Sequence, residues 1–246
     1  MLALAVLLVA ACASGENEAA TTTSETTSTT VDAATTQIPA DPGLTLVAKS
    51  EVDVLEVFDS EDGATVSHRL DRREEVTGNL VFVIEDESPS ASGRHLVQLP
   101  VRPNGSTGWV NAADVSMTVH DYSIEVELSA FELRLYRGAD ELFAAPIGVG
   151  TQDTPTPGGT YYIKELLQPP SPDGVYGTYA YGLSGFSNVL ESFAGGNGVI
   201  GIHGTNQPEL VGTNVSAGCI RLTNEVIDSL VNEYGLPLGV PVEIQP

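Results

Sequence analysis

From Leu44 onward the apolar residues of this chain alternate with polar ones over short runs broken by glycine and proline. Only one stretch, Val226 to Tyr234, repeats them at helical spacing. Alternation puts apolar side chains on one face of an extended strand, and the 25 glycines and 15 prolines supply turns between strands. The expected fold is therefore mainly β: a small β-barrel, then a β-rich domain with one helix on its C-terminal side. The runs Leu44–Ala48, Val52–Val57, Leu80–Ile84, His95–Leu99 and Gly108–Val110 predict the barrel strands. Trp109, the sole tryptophan, is expected in the barrel core rather than as a ligand platform. His68, His95 and His120 have no Cys or His neighbours at metal-ligand spacing, and read as ordinary surface or turn residues.

The second part continues through Ile124–Leu128, Glu132–Tyr136 and Glu141–Val149, with a tight turn at Gly138-Ala-Asp, as strands of one antiparallel sheet. Thr154-Pro-Thr-Pro-Gly-Gly fixes and then turns the backbone ahead of a new strand. Val199–Ile202 reads as a buried strand and Val240–Ile244 as a closing one. In the helix Val226, Ile227, Leu230, Val231 and Tyr234 share a face. Thr223 or Asn224 caps its start, and Gly235 with Pro237 stops it.

At the other end, Leu2 to Ala11 is uniformly apolar and runs into Val9-Ala-Ala-Cys12. That is too short to span a bilayer and suits the core of a signal peptide with small residues before the cut. It resembles a bacterial lipobox, which implies a signal peptide over residues 1–11, cleavage before Cys12 and diacylglycerol on its thiol. No Lys or Arg precedes the apolar run, which is a departure, and a plain secretory signal with an incidental Cys12 is the alternative. Residues 12–43, rich in Thr, Ser and Ala, cannot bury enough apolar surface to offset the entropy of ordering. They read as a tether with an end-to-end distance of about 30 Å. The barrel then occupies residues 44–118 and the second domain 120–246. A net charge of −23, from 33 acidic against 10 basic residues, argues against nucleic acid and anionic lipid as direct partners. The expected location is extracytoplasmic, at the outer face of the cytoplasmic membrane or the cell wall, anchored through Cys12.

In an oxidising compartment an unpaired cysteine invites explanation, and with Cys12 modified Cys219 has no partner among the chain's two cysteines. Between His203 and Arg221 the chain sets an imidazole and a thiol each beside a glycine, the parts of a cysteine nucleophile and its base. A buried structural thiol is the alternative. Cys219 lies just upstream of the helix, whose N-terminus is expected to lower the thiol pKa. His203, at a strand end, can take the thiol proton and return it to a leaving amine. The amides around Gly218 and Cys219 are candidate oxyanion donors. Arg221 pairs either with a substrate carboxylate or with one of the chain's many acids. His203 and Cys219 are too few ligands for zinc, and no cofactor is implied.

Ile202-His-Gly-Thr205, Gly212 and Ser216-Ala-Gly-Cys-Ile-Arg-Leu222 are similar to the signature of bacterial L,D-transpeptidases of the YkuD type. The resemblance extends through Thr154–Gly159 and Tyr181–Ser187 and covers roughly Tyr122 to Pro246. It implies a catalytic domain whose cysteine attacks the bond between the third residue, commonly diaminopimelate, and the terminal D-alanine of a peptidoglycan tetrapeptide stem. The side-chain amine of a neighbouring stem then resolves the thioester. Carried over by position, Cys219 is the nucleophile, His203 the general base and acid, Gly204 the carbonyl that orients His203, and Ser216 a residue holding the site by hydrogen bonds. Ala217 departs from the family, many members having histidine there, which leaves His203 as the base. Tyr181, Ser184 and Phe186 either line the donor cleft or are ordinary packing. The resemblance also implies acylation by carbapenem-type β-lactams. Gly108–Val115 resembles the close of a bacterial Src-homology-3-like domain, which implies a wall-binding or spacer module. Two alternatives to cross-linking remain: an L,D-carboxypeptidase that trims tetrapeptides, and a non-catalytic wall-binding lipoprotein.

Overall fold

The computed structural model describes residues 43–86, 88–192 and 196–246. Cys12, the apolar N-terminal run and the tether up to Pro42 lie outside these residues. The first part holds β1 (Thr45–Ser50), β2 (Val54–Phe58), β3 (Val66–Asp71), β4 (Val81–Val83), β5 (Arg94–Gln98), β6 (Thr107–Asn111) and β7 (Val115–His120). They form two sheets, of order β4-β1-β7 and β3-β2-β6-β5, joined by a bridge between Ile84 and Val97. Ala48, Leu55, Val57, Phe82, Val97 and Val110 pack between them. The sequence pattern did not anticipate β3 and β7. Both are edge strands with no buried residue, so neither needs the alternation that marks a half-buried strand.

Two expectations for this part are corrected. Trp109 is not in the core: β6 turns Gly108 and Val110 inward and leaves Trp109 half-buried on the outer face. The inward place beside Val57 is already filled, since a Cβ on Gly108 would lie 2.4 Å from Val57 Cγ1. His95 is buried rather than at the surface, because it occupies an inward position of β5, with Nδ1 3.3 Å from Asp86 Oδ1. His120 is partly buried as well, and burial lowers its pKa.

The second part is built on one eight-stranded sheet of order β10-β9-β8-β17-β12-β13-β14-β16. Its strands are β8 (Tyr122–Glu127), β9 (Glu132–Arg137), β10 (Asp140–Pro146), β12 (Gly159–Leu167), β13 (Ala180–Phe186), β14 (Val199–His203), β16 (Ile220–Arg221) and β17 (Pro241–Gln245). β8, β9 and β10 form an antiparallel meander, and β17 enters parallel to β8. The expected strand Glu141–Val149 is interrupted, and its end, β11 (Val149–Gly150), pairs separately with β15 (Asn214–Ser216). Ile124, Leu133, Ile163, Leu183, Ile202 and Ile220 fill the core on one face of the sheet.

The helix packs Ile227 and Leu230 onto that core. It begins as α1 (Asn224–Asp228), capped by Thr223, whose hydroxyl accepts from the Val226 amide at 3.4 Å. Over Ser229–Glu233 it widens to π pitch, with the Tyr234 amide donating to the Ser229 carbonyl at 3.0 Å. The Ser229 hydroxyl donates back to the Glu225 carbonyl at 3.1 Å, a bond that loosens a helical turn.

The two parts meet over a polar and apolar contact. Tyr162 of β12 is fully buried with Val47 and Val81, and its hydroxyl donates to the Val81 carbonyl at 3.0 Å. Arg102 donates to the carbonyls of Ser187, Leu190 and Asn197 at 2.8, 3.0 and 3.1 Å. Asn104 pairs with both backbone groups of Phe186, at 2.8 and 2.9 Å.

Candidate active site

β14 and β16 run side by side and parallel, pairing Ile202 with Ile220 and His203 with Arg221. One residue before these pairs, Gly201 in β14 lies beside Cys219 just ahead of β16, its backbone hydrogen-bonded to the thiol. The register continues outward, Gly201 opposite Gly182 of β13 and Gly182 opposite Glu165 of β12. Residues in one register row face the same way. Cys219, Gly201, Gly182 and Glu165 thus lie on the face opposite Ile202, Tyr181 and Ile220, and all four line one cleft of about 460 Å³. A side chain at Gly182 would have to displace Glu165, and one at Gly201 would meet backbone. A Cβ would lie 2.5 Å from Glu165 Oε1 at Gly182, and 2.7 Å from the Tyr181 carbonyl at Gly201.

The turn into Cys219 is fixed by Ser216. Its hydroxyl donates to the Cys219 carbonyl at 2.5 Å and accepts from the Gly218 amide at 3.1 Å. Gly218 has φ +118, a conformation that glycine adopts without strain. This corrects the expectation for Gly218 as an oxyanion donor: its amide is turned to Ser216, and the Cys219 amide remains the candidate.

His203 is 4% exposed, with Nδ1 2.6 Å from the Gly204 carbonyl. A proton on Nδ1 satisfies that carbonyl and leaves the Nε2 lone pair to act as base. The ring of Tyr176 meets the imidazole edge-on, centroids 4.9 Å apart. Tyr176 is carried by a loop that Asn224 ties down, donating to the Pro172 carbonyl at 3.3 Å while accepting from the Thr205 amide at 3.1 Å. Gly177 and Gly204 make this crossing possible, since a Cβ on Gly177 would lie 2.6 Å from the Gly204 Cα.

Burial holds the His203 imidazole down to about 4, against the Gly204 carbonyl, which raises it, and with the Arg221 charge lowering it further. Burial also pushes the Cys219 thiol up, more than the Gly201 backbone and the Arg221 charge pull it down. The expected lowering by the helix N-terminus is therefore corrected: β16 intervenes between Cys219 and α1, and desolvation dominates. Both shifts favour the uncharged forms, a thiol and a neutral imidazole.

The buried imidazole couples stability to pH. The ordinary value of 6.5 applies to the unfolded chain and about 4 to the folded one, so between them the unfolded state binds more protons. The contribution is complete above 6.5 and is lost as pH falls toward 4, by at most about 3.5 kcal/mol at about 1.4 kcal/mol per pH unit. Across this interval the urea midpoint of the wild type should fall relative to that of His203→Gln as pH falls. Parallel curves would show that His203 does not bury as a neutral ring.

Arg221 is partly buried, its Nε has no hydrogen-bond acceptor, and no carboxylate among the described residues lies within ion-pair distance. With Tyr176, His203, Ser216, Ala217 and Cys219 it lines a second cavity of about 140 Å³. Cys219 and His203 border both cavities.

Of the other expected cleft residues, Tyr181 borders the larger cavity, and Ser184 and Phe186 have packing roles. The Tyr181 side chain points into the core, its hydroxyl 3.5 Å from the Leu230 carbonyl, because β13 alternates and Gly182 takes the cleft face. Ser184 accepts from the Tyr162 amide at 3.1 Å, and Phe186 lies under the Arg102 guanidinium, 4.8 Å from its ring centroid. Tyr176 and Glu165 were missed. The glycines flanking Tyr176, Gly174 and Gly177, are a sequence signal for a loop that approaches other backbone closely. Glu165 carries no such signal, since only strand register brings it to the cleft.

A family model, the YkuD L,D-transpeptidase catalytic domain, matches residues 121–244. The YkuD proteins of Bacillus licheniformis and Bacillus subtilis are 36% and 34% identical over 51% and 50% of this chain. The chain covers 66% and 65% of the length of these curated relatives, just under two thirds. A solved L,D-transpeptidase from Mycobacterium smegmatis is 15% identical, with a TM-score of 0.41, over 68% of this chain and 90% of its own.

Proposed function

Since this chain belongs to the YkuD family of L,D-transpeptidase catalytic domains through residues 121–244, we propose that it cross-links peptidoglycan stems with Cys219 as nucleophile and His203 as general base and acid. The observation that carries this reading is the position of Cys219 and His203 where two cavities meet, as a transfer between two substrates requires.

The thiol gives its proton to His203 Nε2 as sulfur attacks the carbonyl of the third stem residue. The Gly204 carbonyl holds the ring in the tautomer that can accept it. Coupling proton transfer to attack suits a thiol whose pKa is raised. The Cys219 amide stabilises the oxyanion, and Arg221, free of acidic partners among the described residues, takes the carboxylate of the terminal D-alanine. The imidazolium protonates the departing amine. An acceptor stem's side-chain amine then attacks the thioester, gives its proton to His203, and the thiol is restored. A carbapenem-type β-lactam takes the donor's place when the thiol opens its ring.

The two small sheets with the Gly108–Val115 close are read as the Src-homology-3-like module that binds or spaces the wall. The lipobox-like start is read as an anchor through Cys12 at the outer face of the membrane. Incubation with a disaccharide-tetrapeptide donor, alone and with an acceptor stem, tests the activity by intact-protein and product mass spectrometry. A Cys219-dependent acyl adduct followed by cross-linked dimer is expected. Tripeptide without dimer would make the protein a carboxypeptidase, and neither adduct nor product would leave a wall-binding role. With His203 unprotonated down to about 4, the acid limb of kcat/KM should fall near that pH; a limb near 6.5 would contradict the assignment.

A further inference from the structure

Glu165 is buried at the far end of the glycine row from Cys219, and it is the only charged side chain bordering the larger cavity among the described residues. Its carboxylate lies over Gly182. The Oε2 atom is buried with no hydrogen-bond donor. The Lys164 ammonium is 3.4 Å from Oε1, yet it sits closer, at 2.9 Å, to Oε2 of Glu75. Two carboxylates therefore share one ammonium, and the cluster keeps an uncompensated negative charge beside an otherwise largely apolar cleft. Buried charge of this kind is costly unless paired.

We infer that Glu165 is a specificity-determining residue that receives a side-chain ammonium of the acyl donor, on the third stem residue. This rests on the transpeptidase reading above and adds which donors are accepted. The distance supports it. From Cys219 past Gly201 to Gly182, over which the carboxylate lies, the row spans two interstrand spacings, roughly 10 Å. That is a distance for a long diamino side chain extended from the thioester carbonyl along a floor without side chains. The ammonium reaches an acceptor that the protein leaves without a donor. A neutral or acetylated side chain of the same length would leave the charge unbalanced.

The test pairs two tetrapeptide donors that differ only in whether the third residue's side-chain amine is free or acetylated. Wild-type protein should acylate from the free-amine donor on the order of tenfold or more faster. In Glu165→Gln the ratio should fall toward one. Gly182→Ala, which presses on the carboxylate, should reduce it as well. Calorimetry with Cys219→Ala measures the same preference as binding, without turnover, and should also favour the free amine. A wild-type ratio near one, or a ratio that persists in Glu165→Gln, overturns the inference. If no donor acylates the wild type while Cys219→Ala still binds the free-amine peptide preferentially, the transpeptidase reading fails and the ammonium site stands. If Cys219→Ala shows no preference, the site fails.

Discussion

Replacing Cys219 with alanine is expected to reduce release of D-alanine by on the order of 10⁴-fold or more, to the background of the uncatalysed reaction. The size follows from the absence of a substitute. Among residues bordering both cavities besides His203, Tyr176 offers only a phenol whose pKa burial raises. Serine at this position presents a hydroxyl that a weakly basic imidazole deprotonates far less readily, so Cys219→Ser should be nearly as inactive. His203→Ala should cost about 10²- to 10⁴-fold, the range for a positioned base. Because the two groups act in one proton transfer, the double variant should be no worse than Cys219→Ala alone. Product release by Cys219→Ala at more than a few per cent of the wild-type rate would place the nucleophile elsewhere.

The largest stability effect is expected at Tyr162. The side chain is fully buried in β12, packs on Val47 and Val81 of the three-stranded sheet, and donates to the Val81 carbonyl at 3.0 Å. Truncation to alanine removes a whole ring from a packed site and should lower the unfolding free energy by about 3–5 kcal/mol. Tyr162→Phe keeps the ring and loses the hydroxyl bond, which should cost about 1 kcal/mol. Chemical denaturation distinguishes the two. With contacts at Tyr162, Arg102 and Asn104 intact, the described residues should unfold in one transition, and Tyr162→Ala should either lower that transition or split it in two. An unchanged midpoint would mean that the two parts fold independently of this contact.

The sequence makes local features legible and long-range ones faint. Ser216, Gly218 and Cys219 form a turn within four positions, and His203 and Gly204 are neighbours, so a short motif holds most of the geometry at the thiol. The mainly β character is equally local, being written in alternation. What alternation leaves open is which face of β13 is the core. Tyr181 and Gly182 are adjacent, and only the register with Ile202 and Gly201 decides that tyrosine goes inward and glycine forms the cleft floor. The same applies to Glu165, which three strand pairings bring into line with Cys219. Trp109 was misplaced for a related reason, since size and apolarity point inward while the partners of β6 had already given that space to Val57. The thiol pKa was misjudged because nearness to a helix start in sequence does not measure desolvation.

The glycine row also constrains how a protein like this can diverge. At Gly182 and Gly201 any side chain collides with a carboxylate or a backbone carbonyl. Drift at Gly201 is therefore blocked by backbone, while a side chain at Gly182 has to displace Glu165, so heritable change in substrate choice comes most readily from the ends of the row and the loops around it. Glu165, at one end, can be exchanged without touching the backbone that shapes the thiol. A lineage carrying this fold could acquire a different stem preference in one step there, while the surroundings of Cys219 stayed as they are.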